Sequence, residues 1–429
     1  MSGALGISAL LLLLAIGVPI GVAMGLVGLV GMTLLIGFEP ALIKSSVVLF
    51  EAVSRYELGV LPLFLLMAHL CFAAGASRDF FAAAAGLVGH RRGGLALATI
   101  AGCAGFGAVS GSSLATAATM GLIGLPEMRK RGYSTALATG SVAAGGTLGS
   151  LTPPSGALIV FGIIAEQSIG KLFTAAIIPA LTQTLFYMAT VIVVCRWRPG
   201  IAPASPRLPW KERIASLVRV LDLAAVVGLV LCGIALGWFT PTEAASVGAT
   251  LSLALCAWRR RLNRKSLRHA LASTLRTTGM LYVVIVGALI FAVFMSFTGL
   301  AQQIASFMQA FQGQPIVAII AIAVLLLLLG SVLDGLALML LTTPILLPIV
   351  TGLGLSPIWF GIFLVRTMEI GFVHPPIGIN LYVIQGIAPD IPLARVFKGV
   401  LPFLAADFLH LALLIFVPAL ALWLPHWLS

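Results

Sequence analysis

Charge is what this chain has least of. Its 429 residues include 25 Lys and Arg and 13 Asp and Glu, only 9% charged, where soluble proteins carry about 25%. A water-borne fold of this length could not clothe its surface with so few charges, which excludes a soluble enzyme or binding domain. Cysteine is also sparse. The five (Cys71, Cys103, Cys195, Cys232, Cys256) lie in or beside apolar runs with no CxxC pair, which argues against a disulfide framework or a thiolate metal site. HExxH, the Walker GxxxxGK[ST], a dinucleotide fingerprint and GxSxG are all missing. Without a nucleotide site, an ion gradient is the natural energy source. No Lys or Arg precedes the first apolar run, residues 4–37. It is too long for a signal-peptide core and reads as a retained membrane segment, interrupted near Pro19 and Gly21.

What the chain has in abundance is apolar surface, 60% of its residues. A membrane span needs about 20 residues, so the length allows roughly ten to fourteen segments. Runs such as 93–125, 134–165, 315–350 and 357–388 are too long for one untilted span, and each is interrupted by Gly or Pro. They are expected to be re-entrant hairpins or broken helices. The longest polar stretch, Arg196 to Arg219, is only a linker, dividing an N-terminal half (1–195) from a C-terminal half (220–429).

The halves repeat. Gly149-Ser-Leu-Thr-Pro153-Pro154-Ser-Gly156 returns 222 residues later as Gly371-Phe-Val-His-Pro375-Pro376-Ile-Gly378, and the same offset pairs Pro126 with Pro348, Ser134 with Ser356 and Ser112 with Asp334. The net charge of +12 then acts as a topological label: 19 of the 25 Lys and Arg lie between Arg91 and Arg276, and none lies in 277–365. Pro126 is followed by Arg129, Lys130 and Arg131, whereas Pro348 is followed by Thr-Gly-Leu-Gly. The positive-inside rule puts the first hairpin's open end, and the basic linker, in the cytoplasm and the second hairpin's open end on the other side. That is an inverted repeat.

The doubled GxxxPPxG is where chemistry is expected. Paired prolines remove two backbone donors and break the helix, and carbonyls freed inside a bilayer must meet protein, water or an ion. Each break follows a candidate hairpin tip, Gly107-Ala-Val-Ser110-Gly111-Ser112-Ser113 and Gly330-Ser331-Val-Leu-Asp334-Gly335. Asp334 is the only Asp, Glu, Lys, Arg or His between Arg276 and Arg366. It is either an ion or substrate ligand or a cap on the restarting helix. Arg366 and Glu369 form either a self-satisfying i,i+3 pair or, through Arg366, a clamp on a substrate carboxylate. His374 stands where the first repeat has Thr152, either lining the site or structural. Thr240-Pro241-Thr242-Glu243 fits a capping box. No His or carboxylate cluster is expected to converge, which counts against a membrane enzyme.

In order along the chain, LPLFLLMAHL (61–70), GAVSGSSLATAATMG (107–121), PEMRKRGY (126–133), GTLGSLTPPSG (146–156), FTPTEAASVGA (239–249), GSVLDG (330–335), TPILLPI (343–349) and MEIGFVHPPIGINLYV (368–383) resemble the large membrane subunit of the tripartite ATP-independent periplasmic (TRAP) transporters. The resemblance covers nearly the whole chain. It implies an all-α polytopic membrane protein of the bacterial inner membrane, an inverted-repeat, elevator-type transporter with two re-entrant hairpins and broken helices. It implies Na⁺ as coupling ion, an organic acid anion as substrate, a periplasmic substrate-binding protein and a separate small membrane subunit as partners. Carried over, the Na⁺ ligands fall at Ser110, Ser112, Ser113, Gly149 and Thr152, and at Gly330, Asp334, Gly371 and His374. Substrate contacts are expected at Ser112, Ser113, Asp334, Arg366, Pro154 and Pro376. The chain departs from the family at His374, usually Thr, and at Ala68, usually Gly. A stand-alone dicarboxylate or citrate carrier of similar fold and a non-transporting membrane scaffold are the rival readings.

The inverted arrangement makes a topological prediction. In a cysteine-free background, Arg129→Cys and Gly352→Cys are expected to react with an impermeant thiol reagent from opposite membrane faces. Labelling of both from one face overturns it.

Overall fold

The computed structural model describes residues 2–300, 315–331 and 333–428, which form helices and connecting turns with no strand among them. Residue 332, inside the second tip motif, lies outside the described residues. Among the described residues, seven helices are long and apolar enough to cross a membrane, and five shorter apolar ones accompany them. Many of the short ones are halves of interrupted runs. The first run, for instance, divides into α1 (Ser2–Ala15) and α2 (Ile20–Ile36), with Gly17 at φ +87 and Pro19 between them.

A first set of helices follows as α3 (Phe38–Ser54), α4 (Val60–Ala74) and α5 (Ala76–Val88). Then come α6 (Gly94–Ser110), α7 (Ser113–Lys130), α8 (Thr135–Leu151), α9 (Gly156–Ile164) and α10 (Ile169–Trp197). After the linker the series resumes with α11 (Trp210–Ala235), α12 (Pro241–Trp258) and α13 (Arg264–Thr298). It closes with α14 (Pro315–Gly330), α15 (Gly335–Gly352), α16 (Pro357–Gly371), α17 (Ile379–Ile387), α18 (Leu393–Phe416) and α19 (Ala419–Leu428). The boundaries recur: α15 begins and ends 222 residues after α7, and α16 begins 222 residues after α8. Both Pro-Pro bonds, 153–154 and 375–376, are cis.

Two bodies result. In one, α2 lies along α13, while α12, its counterpart at the same offset, lies along α4. Glycine permits the crossing: a Cβ on Gly21 would stand 2.7 Å from the Val283 carbonyl, and one on Gly287 would collide with the carbonyl of Gly21. At the basic end Arg259 ties three helices together, reaching Asp79 at 2.5 Å and Asp222 at 2.6 Å. The capping box at α12 forms as its residues require, with the Glu243 backbone N–H donating to Thr240 Oγ1 (3.3 Å) and Thr240 N–H to Glu243 Oε2 (2.8 Å). The second body is built on α8 and α16, whose middle and C-terminal residues are buried throughout. In α8 small residues permit close approach, as is usual where lipid supplies no hydrophobic drive between helices. Gly140 meets the backbone of Gly399 on α18, and Gly399 in turn meets the Ala136 carbonyl. In α16 aromatics fill the space instead, with Trp359 stacked on Phe363 at 5.1 Å and donating to the Leu414 carbonyl.

Helix takes more of the polar linker than composition suggests. Residues 210–219 already belong to α11, leaving 198–209 outside helices. That remainder is laid across the chain before α6 and α8. Ser134 N–H donates to the Ile201 carbonyl at 2.7 Å and Gly93 N–H to that of Ala202 at 3.2 Å.

The Gly140–Gly399 contact leaves no room for side chains. Gly399→Leu is expected to lose about 3 kcal/mol or more of stability through overpacking. Gly279→Ala, where nothing lies within 4 Å of an added Cβ, should stay within about 0.5 kcal/mol. Thermal unfolding of both variants in detergent provides the check.

Candidate functional site

Each hairpin folds back onto the Pro-Pro break of its own repeat. In the first, α6 ends at Ser110, Gly111 turns the chain at φ +60, and Ser112 caps α7 by accepting from the Ala115 backbone N–H (3.4 Å). The Gly156 N–H, at the start of α9, donates to the Gly111 carbonyl at 3.2 Å. On the other side of the break, a Cβ on Gly149 would stand 2.5 Å from both the Ser112 carbonyl and Thr116 Oγ1. Ser110 and Thr116 share a hydrogen bond of 2.7 Å. In the second repeat, Asp334 takes the place of Ser112 and caps α15, accepting from Leu336 N–H at 3.1 Å. A Cβ on Gly371 would stand 2.6 Å from the Gly330 carbonyl. Glycine at 149 and 371 is therefore required by backbone approach, in the same way in both halves.

Between the two bodies lies a cavity of about 280 Å³. Its polar wall comes from the first tip, Ser110 to Ser113, with Ser150, Pro154, Gly156 and Asp334. Its apolar wall comes from the other body, chiefly Leu61, Phe64 and Met67 of α4 and Met280 of α13. Three helices present first-turn residues to it: Ser113 and Leu114 of α7, Gly156 and Ala157 of α9, and Leu336 of α15. Helix N-termini carry unpaired N–H groups and partial positive charge, and so favour anions. Asp334 brings the one carboxylate of the lining, and its capping bond uses Oδ2. Its two readings are thus compatible here: it is a cap that also faces the cavity.

Of the residues expected to touch substrate, the cavity gathers Ser112, Ser113, Pro154 and Asp334 and leaves out Arg366 and Pro376. Pro376 is exposed with Pro375, whereas Pro153 and Pro154 are buried. Arg366 is wholly buried between α10, α16 and α18. Its Nη1 donates to Glu369 Oε2 at 2.9 Å, its Nη2 to Asp407 Oδ1 at 2.5 Å and its Nε to His410 Nδ1 at 3.1 Å. A guanidinium wholly buried and tied to three internal acceptors is not presented to the cavity, so it offers no clamp to a carboxylate there. Glu369, Asp407 and His410 do converge, correcting the expectation that no such cluster forms. The sequence shows only the Arg366–Glu369 spacing, because the other two arrive from α18, some forty residues later.

Among the residues expected to hold Na⁺, Ser110, Ser112 and Gly149 meet at the first break, while Thr152 Oγ1 is buried with no hydrogen-bond partner. Gly330 and Gly371 meet at the second, where His374 Nδ1 is likewise buried and unpartnered. The orphaned atoms occupy equivalent repeat positions. A hydroxyl suits a hard cation, which prefers oxygen; an imidazole nitrogen suits it less, so the donor set fits better at the first break. Ser113 faces Asn380 instead, accepting from Asn380 Nδ2 at 3.0 Å. Thr116 and Asn380 were not singled out from sequence. Thr116, one turn beyond Ser112, could have been found by helical spacing. Asn380, which is fully buried, was signalled only as a polar residue in an apolar run.

The family described as "Tripartite ATP-independent periplasmic transporter, DctM component" matches residues 7–420. A C4-dicarboxylate TRAP transporter large permease protein of Pseudomonas aeruginosa is 37% identical over 405 residues, 94% of each chain. A sialic acid TRAP transporter large permease protein of Vibrio cholerae is 32% identical over 417 residues, 96% of each. Among solved structures, the Alcanivorax borkumensis YdaH transporter superposes with a TM-score of 0.59 over 90% of this chain and 89% of its own, at 16% identity. That is a likeness of fold.

The Arg366 cluster and the exposed Arg129–Asp390 pair (2.6 Å) should respond differently to truncation. Arg366→Met leaves a buried carboxylate unpaired and is expected to cost about 3–5 kcal/mol, whereas Arg129→Ala, at a solvent-screened pair, should leave stability nearly unchanged. Chemical denaturation of both variants in detergent provides the comparison.

Proposed function

The chain belongs to the family of tripartite ATP-independent periplasmic transporters, DctM component, a multi-pass membrane permease and not an enzyme; from that premise we propose that it imports an organic acid anion together with Na⁺. The observation that carries the reading is the cavity between the two bodies, where both hairpin tips and three helix N-termini meet. Those N-termini suit a carboxylate. The substrates in the names of the Pseudomonas and Vibrio relatives, a C4-dicarboxylate and sialic acid, are both organic acids. The anion would arrive on a periplasmic substrate-binding protein, and a small membrane subunit would complete the assembly in the bacterial inner membrane.

Coupling to Na⁺ follows from the breaks. In each half a hairpin tip is pressed on interrupted backbone beside an unpartnered polar atom, Thr152 Oγ1 or His374 Nδ1. A cation bound there would hold tip and break together, and its charge would offset that of an anion in the cavity. The apolar wall from α4 and α13 belongs to the other body, so the second body could carry its cargo past that wall as an elevator. The two halves, 1–195 and 220–429, would then be inverted copies joined by the cytoplasmic stretch 196–219.

Uptake driven by a Na⁺ gradient in proteoliposomes, with and without binding protein and small subunit, tests this. Uptake is expected only with both partners and only with Na⁺. Ser112→Ala and Asp334→Ala should each weaken the Na⁺ dependence about tenfold or more, the scale of losing one charge-assisted contact. Uptake without either partner would indicate a stand-alone carrier. Unchanged transport in both variants would overturn the site.

A further inference from the structure

A second cavity, about 800 Å³ in volume, opens at the basic end of the molecule, and no residue of either hairpin tip lines it. Its walls come chiefly from α5, the C-terminal turns of α7, the linker and the start of α11. The linker is held there by its backbone, with Ser205 N–H donating to the Gly89 carbonyl at 3.2 Å. Ser205, Pro206 and Leu208 thereby become part of the wall. Phe81, Leu95, Leu122 and Ile123 supply its apolar part.

The charge around this cavity is not balanced. Arg78, Lys130, Arg131 and Arg219 line it, against Glu127 and Glu212. Lys130 takes Glu127 at 3.1 Å. Glu212 sits in the first turn of α11, where the helix dipole offsets part of its charge. Arg55, Arg129, Arg259 and Arg366 each have a carboxylate within 3.1 Å. Arg78, Arg131 and Arg219 have no ion pair or side-chain hydrogen bond among the described residues. Three unpaired guanidiniums around one concavity make a field for an anion that the chain does not itself supply. The positive-inside bias does not require this arrangement, since it counts basic residues in a loop wherever they point. These three come from distant parts of the chain and meet only because α5 packs on both α7 and α11.

The cavity also runs from charge into hydrocarbon. Leu122 on α7 is 65% exposed, and Lys130 follows eight residues later, about 12 Å along the helix. At the other wall Leu208 and Trp210 are exposed side by side with the basic residues, as is usual where a membrane meets water. A free anion needs no apolar wall, whereas a lipid needs both. We infer that this cavity binds the phosphate headgroup of an anionic phospholipid from the cytoplasmic leaflet, with Arg78, Arg131 and Arg219 as phosphate ligands and an acyl chain along Leu122. A lipid seated there would touch α5 and α11, which Arg259 ties to α12, and also α7, an arm of the first hairpin. The site needs only the membrane placement and not the transport reading.

Thermal unfolding of the full-length protein in detergent, titrated with phosphatidylglycerol, phosphatidylcholine of the same chains or inorganic phosphate, tests the assignment. Phosphatidylglycerol is expected to raise the melting temperature saturably, as a ligand of the folded state does, and the other two to leave it unchanged. Arg78→Gln/Arg131→Gln/Arg219→Gln should need roughly a hundredfold more phosphatidylglycerol for the same rise, at about fivefold per basic residue. Arg264→Gln/Lys265→Gln/Arg268→Gln removes as much charge from the exposed start of α13 and should behave as wild type. No rise with phosphatidylglycerol, an equal rise with phosphatidylcholine, or equal loss in the two triple variants would overturn the site. An equal rise with inorganic phosphate would make it a free-anion site and overturn the lipid assignment. Should the first triple variant not fold, the wild type still decides. In phosphatidylcholine vesicles containing phosphatidylglycerol with a photoreactive headgroup, cross-links are expected on α5, α7 or the linker, and cross-links confined to other segments would overturn the proposal.

Discussion

A helix interrupted inside hydrocarbon must have its freed backbone groups met by protein, and this constraint organises the molecule. Both Pro-Pro breaks expose such groups; at the first the preceding hairpin meets one, and at the second the break's own backbone does, with the Asn380 N–H donating to the Phe372 carbonyl. Gly111 receives the Gly156 N–H, Ser112 and Asp334 cap the helices that restart, and Ser155 caps α9 through Leu158 N–H. Glycines at 149 and 371 make the approach sterically possible. The cavity is a by-product of this solution. Wherever a tip covers a break, helix N-termini end together, and their positive ends face whatever space remains.

The two halves solve the same problem with different residues. The first tip offers hydroxyls and a buried break, the second a carboxylate and exposed prolines. α8 packs through small residues, α16 through aromatics and the Arg366 cluster. Arg366, Glu369 and Asp407 stand opposite Ala144, Thr147 and Leu185 at the repeat offset, so the ionic cluster belongs to one half only. Repetition sets the backbone, and the departures from it distinguish a polar tip from a charged one.

The parts legible in the sequence were those fixed by local backbone chemistry. Pro-Pro breaks, tips, the Thr240 box and the interruption before Pro19 all follow from residues within a few positions of each other, and the element boundaries follow from the repeat. Side-chain partnerships across helices did not show. Arg366 was visible only with its i,i+3 neighbour, and nothing in LHLALLIF (409–416) or the run before it reveals that Asp407 and His410 turn toward α16. Asn380 bonds to Ser113 across 267 residues. Only the packing of α7, α8 and α17 brings the two together.

This division has a physical reason that bears on transport. A local break can be capped by its own neighbours, but an ion in the bilayer must be neutralised by whatever the fold brings near it. The Arg366 cluster joins α10, α16 and α18 inside the same body that carries both hairpins, and it does so without touching the cavity. If that body moves as a unit, charge is moved with it. The Arg366 guanidinium lies in that body with its own counter-ions, Glu369 and Asp407, buried beside it.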